Sequence, residues 1–260
     1  MRKTDKVVEL IIFAGQSNMA GRGTAALAPK ITKERAWEFR AVSDPTKLYP
    51  LTEQFGYLEN NPAGIWEPGM KTGSMVTSFV EMYLTDSEKT VVALSTSKGG
   101  SSITEWQPGS AYYRDLLERI HKAKSWLTQA GYQVERVTFL WLQGETDGDL
   151  KRSADEYQGL ATTFFQSLLE KDVDEIFVLE IGNQRDEPDL YLPIRQAQRN
   201  LGALERVTFV PTSLASMREN GHMIDLFHYD QYAYNLLGKE VAQALLAFNQ
   251  ETKRIKGLIS

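Results

Sequence analysis

Short unbroken apolar runs alternate along the chain with longer segments in which apolar positions recur every three or four residues. The first run starts at Val7 and passes through Leu10, Ile11, Ile12 and Phe13 into Gly15-Gln16-Ser17-Asn18-Met19 with no turn residue between. A run of this kind reads as a strand buried on both faces, as in a parallel sheet. Four more runs have the same character: Thr90–Thr96, Val137–Gln143, Ile176–Ile181 and Val207–Pro211. Helical spacing marks Ser74–Thr85, Tyr112–Ala130 (closed by Gly131), Ala154–Lys171, Leu190–Leu204 and Gln231–Phe248. Strands alternating with helices of this length predict an α/β protein, a three-layer α/β/α sandwich around a five-stranded parallel sheet. One section breaks the rhythm: Arg22–Gly73 is irregular, rich in Pro, Gly and Asn, with a hairpin-like fragment around Ala36–Val42. A loop of that length in a compact domain is functional or an insertion. No internal repeat or Pro/Ser-rich linker divides the chain, so residues 1–260 read as a single domain.

Composition narrows the chemistry. The 260 residues are 42% hydrophobic and 24% charged, ordinary values for a globular fold with a substantial core. The net charge of -5 contains no basic block, which argues against nucleic acid and anionic membrane as partners. No cysteine is present, so disulfides and thiolate nucleophiles are excluded. Only His121, His222 and His228 occur, too few and scattered for a His-rich metal cage. The basic start runs into a strand-like segment interrupted by Glu9, with no small-residue cleavage site, and no apolar run spans a bilayer. A cytoplasmic location is the resulting expectation.

Four of the five strand ends carry unusual polar residues. They are Gly15-Gln16-Ser17-Asn18, then Lys98-Gly99-Gly100-Ser101-Ser102, then Gln143-Gly144-Glu145-Thr146-Asp147, and Asp225-Leu226-Phe227-His228 before the last helix. In a flavodoxin-like sheet of order 2-1-3-4-5 the first strand is central, and the turns carrying Ser17, Gly100 and Gln143 become neighbours. Read alone, Ser17 is an N-cap. Read together, the turns supply what acyl transfer needs: a hydroxyl, a base, a group that orients the base, and donors for an oxyanion. The base is one of three histidines. His121 lies in the Tyr112–Ala130 helix among Lys and Arg and reads as a solvated surface residue. His222 and His228 each stand three residues from Asp225; the order Asp-x-x-His and the helix that follows favour His228, with His222 as the fallback. Oxyanion donors would be the N–H groups of Ser17 and Gly100 and the side-chain amide of Gln143. The Gly-x-Ser-x-Gly elbow of α/β-hydrolases is not met, because position 19 is Met.

GQSNMAG, KGGSSITEW, WLQGETD and DLFH resemble, in order and spacing, the four signature blocks of the SGNH hydrolase superfamily. Within it they are most similar to the carbohydrate esterase family 6 and sialate O-acetylesterase-like group. The resemblance implies Ser17 as nucleophile, His228 as base and Asp225 as its orienting partner, with Ser17, Gly100 and Gln143 as the oxyanion hole. It also implies metal-free, cofactor-free hydrolysis of acetylated sugars, from xylan fragments to sialic acids. One departure is Leu142, where members of the group often carry His. Glu145 and Asp147 match the pattern and read equally well as loop anchors. Trp106, which shares a loop with Gly100, and Trp66 are candidate platforms for a sugar face, with Trp37 behind them. Arg22 follows the nucleophile turn and meets either an anionic substrate group or a carbonyl. Two other readings compete: the same machinery acting on a lipid or thioester, and a sugar-binding relative that has lost catalysis.

Overall fold

The protein is described by a computed structural model that covers residues 7–255 and residue 257. The basic start, Met1–Lys6, lies outside those residues. Strand β1 (Val7–Gly15) is the centre of the molecule, and every residue after Val7 is buried. Its one charged residue, Glu9, is 2% exposed and accepts from Arg136 Nη2 at 2.8 Å. Parallel partners flank β1 on both sides: β4 (Thr90–Ser97) and β5 (Gln133–Leu142). Beyond β5 lie β6 (Glu175–Leu179) and β7 (Val207–Val210), both parallel.

The expected five-stranded sheet of order 2-1-3-4-5 needs correction. Among the described residues the sheet has seven strands: with β2 (Ala36–Phe39) and β3 (Leu48–Pro50) beyond β4, the order is β3-β2-β4-β1-β5-β6-β7. The additional pair comes from the section read as irregular. β2 runs parallel to β4, and β3 closes the edge antiparallel to β2. Strands of four and three residues are too short to show the alternation that marks a strand in sequence, and pairing fixes them, β2 on β4 and β3 on β2.

Register matters more to the site than strand count. Gly15, Ser97 and Leu142 stand opposite one another across β4, β1 and β5, so three strands end level. The chain therefore leaves the sheet at three adjacent points, carrying Gln16-Ser17, Lys98-Gly99-Gly100 and Gln143-Gly144. Gly15 (φ 133°) sits where a Cβ would fall on the Leu142 carbonyl, so only glycine fits this exit.

Among the described residues seven α-helices accompany the sheet: α1 (Ser17–Ala20), α2 (Val76–Tyr83), α3 (Ala111–Gln129), α4 (Glu145–Asp149), α5 (Ala154–Leu169), α6 (Leu192–Leu201) and α7 (Gln231–Ile255). Ser110 and Ser153 cap α3 and α5 by accepting from the N–H groups of Tyr113 and Glu156. Gly238 of α7 meets the backbone of Met75 and Phe79, which lets α7 lie directly on α2. No helix among the described residues is long and apolar enough to cross a membrane.

The section 22–73 is fastened by buried side chains. Arg119 of α3, 1% exposed, donates to the carbonyls of Glu59 (3.2 Å) and Ser95 (3.0 Å) and to Asp115 Oδ2 (2.9 Å). Asp115 in turn accepts from Ile65 N–H (2.8 Å) and the Asn61 amide (2.9 Å). Removing one partner of a buried ion pair leaves the other uncompensated, at about 3–5 kcal/mol. Arg119→Ala is therefore expected to lose about that much stability in urea unfolding, and a loss under about 1 kcal/mol would show that these contacts do not anchor the section.

Candidate active site

Ser17 is the first residue of α1, two residues past Gly15. Gln16 occupies the N-cap and makes no side-chain cap bond, so Ser17 is not the capping residue. Instead it lines a cavity of about 630 Å³ at the level ends of the strands, together with Arg22, Trp66, Gly100, Glu145 and His228. The neighbours of Ser17 are committed elsewhere. Gln16 Oε1 accepts from the N–H groups of Gly144 (3.1 Å) and Thr146 (3.3 Å). The Asn18 amide, fully buried, donates to Glu145 Oε1 (2.6 Å) and the Phe227 carbonyl (3.0 Å), and its Oδ1 accepts from Tyr234 Oη–H (2.7 Å). The turn that carries Ser17 is thus tied to the third and fourth sequence blocks by side chains on either side of it.

His228 ends a tight loop closed by the Met223–Tyr229 bridge, with Ile224 N–H donating to its carbonyl at 2.9 Å. Its Nδ1 lies 2.7 Å from Asp225 Oδ2. Asp225 Oδ1 accepts from the N–H groups of Phe227 (3.0 Å) and His228 (2.7 Å). Burial pushes the Asp225 carboxyl up, but these bonds and the His228 ring outweigh it and hold it below its usual range. His228 Nε2 is buried and has no partner. Neither other histidine lines the cavity. His121, on the surface of α3, pairs with Asp172 Oδ1 at 2.6 Å, and His222 pairs with Asp230 Oδ2 at 2.8 Å and stacks on Tyr232 at 4.3 Å.

Two expectations are overturned by packing. Gln143 is fully buried and lines no part of the cavity; both protons of its amide are used, on the Ser101 carbonyl (2.9 Å) and Asp147 Oδ2 (2.5 Å). It braces the second and third turns and has no proton left for an oxyanion. Trp106 is also fully buried, donating from Nε1 to Ser101 Oγ (3.0 Å) and packing edge-on against Trp141 at 5.4 Å. It is core, not a sugar platform. Trp66, by contrast, is 47% exposed and lines the cavity. Trp37 lines a separate cavity of about 780 Å³ along residues 25–34, which holds none of the candidate catalytic groups.

The acidic residues of the third block separate in role. Asp147 is an anchor: it accepts from Ile103 N–H (2.9 Å), Gln143 and Arg152 Nε (2.7 Å). Glu145 is buried at the cavity wall with Oε2 unpartnered, and burial, reinforced by Asp149 and Asp147, raises its carboxyl to about 7 against the bond from Asn18. Arg22 is not free to meet a substrate anion, because Nη2 pairs with Glu67 and Nη1 donates to the Met70 carbonyl at 2.8 Å. Glu67, in Trp66-Glu67-Pro68-Gly69, was not among the candidates from sequence; its only signal there is its place beside Trp66.

Comparison with known proteins gives the family and the fold. The family described as carbohydrate esterase, sialic acid-specific acetylesterase, matches residues 7–247. A probable carbohydrate esterase of Arabidopsis thaliana is 26% identical over 155 residues, a match spanning about half of each chain (54% of both). The crystal structure of the Arabidopsis protein superposes with a TM-score of 0.68 at 21% identity, covering 92% of this chain and 98% of that one. A catalytic mutant of an acetylxylan esterase from Geobacillus stearothermophilus gives 0.51 at 12% identity, covering 90% and 93%. A carbohydrate acetylesterase from Xanthomonas citri gives 0.52 at 13%, covering 90% of this chain and 54% of that one. At these identities the structures speak for a shared fold alone. With nearly its whole length matched, the chain belongs to the family of carbohydrate esterases described as sialic acid-specific acetylesterases.

Proposed function

We propose that the chain is a serine esterase that removes O-acetyl groups from a carbohydrate through an acyl-Ser17 intermediate. The observation that carries this reading is the state of His228. Asp225 holds Nδ1, while Nε2, buried and unpartnered, belongs to the same cavity as the Ser17 hydroxyl. Such a ring is fixed in orientation and tautomer, with one lone pair reserved for a proton. Ser17 Oγ attacks the acetyl carbonyl carbon as His228 Nε2 takes its proton, and Asp225 stabilises the imidazolium. The oxyanion is met by two N–H groups. That of Ser17 opens α1 and has no acceptor within the helix. That of Gly100 lies at φ 69° on an exposed turn of the cavity wall. Collapse of the tetrahedral intermediate expels the sugar oxygen, which takes the proton from His228, and water then releases acetate from Ser17 by the same steps. Trp66 offers an apolar ring to a sugar face, and Glu145 a carboxyl to a sugar hydroxyl.

Ser17→Ala is expected to remain folded and to lose turnover of acetylated oligosaccharides by up to about 10⁶, as in other serine triads. Acetate release at the parental rate would rule out Ser17 as the nucleophile. Glu145 gives a pH signature. Its folded carboxyl titrates near 7 against 4.5 as the ordinary value. Between those limits the unfolded chain has released a proton that the folded chain keeps, so this group lowers stability as pH rises from 4.5 to 7. Glu145→Gln keeps an oxygen for Asn18 and removes the charge. Its melting temperature should exceed the parent's at pH 8, by roughly 2–3 kcal/mol in stability, and converge with it near pH 4. Parallel curves across that range would refute the buried-carboxyl account.

A further inference from the structure

Carboxylates hold the section 22–73 in place, and all but one are fully satisfied. Glu53 accepts through Oε1 from Ser74 Oγ (2.8 Å) and through Oε2 from Ser74 N–H (3.1 Å). Glu59 accepts from Val42 N–H (2.9 Å) through Oε2 and from Ser43 Oγ (2.6 Å) through Oε1. Both oxygens of Asp115 are likewise taken, as described above. Glu67 breaks the pattern. Its Oε1 receives two donors, Arg22 Nη2 and Gly99 N–H (3.1 Å), while Oε2 is buried with no partner. A buried acceptor left unsatisfied costs about 1–3 kcal/mol, and such exceptions collect where function requires them.

The two donors lie on opposite sides of the chemistry. Arg22 leaves the turn that follows Ser17, and Gly99 immediately precedes Gly100, the second oxyanion donor of the proposed reaction. Lys98 N–H makes the last bond of this stretch to β1, on the Gly15 carbonyl (2.8 Å), and beyond it come two consecutive glycines with the loosest backbone available. Gly99 is pinned from both ends: its N–H by Glu67 and its carbonyl by Lys98 Nζ at 2.6 Å. With that peptide immobilised, the next N–H in the chain, that of Gly100, has a fixed direction.

We propose that Glu67 is a positioning residue of the esterase reaction, clasping Arg22 and Gly99 through one oxygen so that the nucleophile turn and the Gly100 oxyanion donor keep their relative placement. This makes the 22–73 section part of the catalytic geometry as well as a wall of the cavity. The inference rests on the reading of Ser17 as nucleophile. It acts on the transition state, where the oxyanion forms, and much less on substrate binding.

The experiment is a double-mutant cycle on 4-nitrophenyl acetate. Glu67→Ala removes the clasp. Gly99→Ala attacks it from the other side, because its methyl would fall on Glu67 Oε1 and Arg22 Nη2, the mobile ends of two side chains, while its backbone conformation suits any residue. A lost oxyanion donor costs about 10²–10³ in kcat, so a misdirected one is expected to cost roughly 10–100-fold in each variant, with KM changed by less than about 3-fold. The double variant should be no worse than the worse single one, since both break one arrangement. Glu67→Gln, which keeps an oxygen for Gly99 N–H, should recover kcat to within about 5-fold of the parent. If Glu67→Ala does not fold, Gly99→Ala and Glu67→Gln still decide. Multiplicative losses, losses confined to KM, a Glu67→Gln as slow as Glu67→Ala, or singles at the parental kcat would each overturn the clasp. Ser17→Ala measured alongside separates the two claims: an active Ser17→Ala defeats the serine mechanism itself, whereas an inactive one with a parental Gly99→Ala defeats only the role of Glu67.

Discussion

The buried amide of Asn18 is the interaction on which the rest of the site depends. It reaches Glu145 at the third strand end, the carbonyl of Phe227 beside His228, and the hydroxyl of Tyr234 on α7. Those partners lie 127, 209 and 216 positions away in the chain. A primary amide has two protons and one oxygen, and here all three are in use with no exposure to water. In so dry a setting an unmade bond is costly, so the three loops have one mutual arrangement and few near alternatives. Ser17 sits next to that hub by one peptide bond, and its position is inherited from it.

A second layer of buried polar bonds extends the same logic outward. Gln16 fixes the third turn from the other side of Ser17, Asp147 and Gln143 join the second turn to the third, and Arg119 with Asp115 seats the long section over β4 and α3. Hydrophobic burial drives the sheet together but is tolerant of small displacements. Directional bonds to buried groups are not, and they concentrate at the one end of the sheet where placement within a fraction of an ångström matters. The unsatisfied atoms are equally telling. His228 Nε2, Glu145 Oε2 and Glu67 Oε2 are all buried, all without partners, and all on residues of the same cavity. Five more such atoms among the described residues, on Arg136, Thr138, Ser213, Gln231 and Asn249, lie away from it, so the cavity holds three of eight.

The parallel strands and most of the helices could be read from the chain because each is long and has a clear period. β5 begins earlier than its buried run, at Gln133, since its first residues alternate with solvent at the end of the sheet. α4 was read as loop: five residues with two acids in the first turn carry no periodicity. The hairpin-like fragment around Ala36–Val42 overlaps β2, whereas the three residues of β3 are too few to show a period.

At the site, residue types and strand-end positions were enough to single out Ser17, Gly100, Glu145, Asp225 and His228, all but Asp225 on the cavity wall and Asp225 bonded to His228. The sequence alone determined which long elements form and which polar residues stand where the parallel strands end, because both follow from local period and from the chemistry of the side chains themselves. It did not determine what each side chain is bonded to. Gln143 and Trp106 have the right chemistry in the right turns, yet their protons are spent on Ser101 and Asp147, and Glu67 entered the site with no signal but its place beside Trp66. The Gln143–Ser101 and Glu67–Gly99 bonds span 42 and 32 positions, and a hydrogen bond between distant loops exists only once the sheet has set their separation.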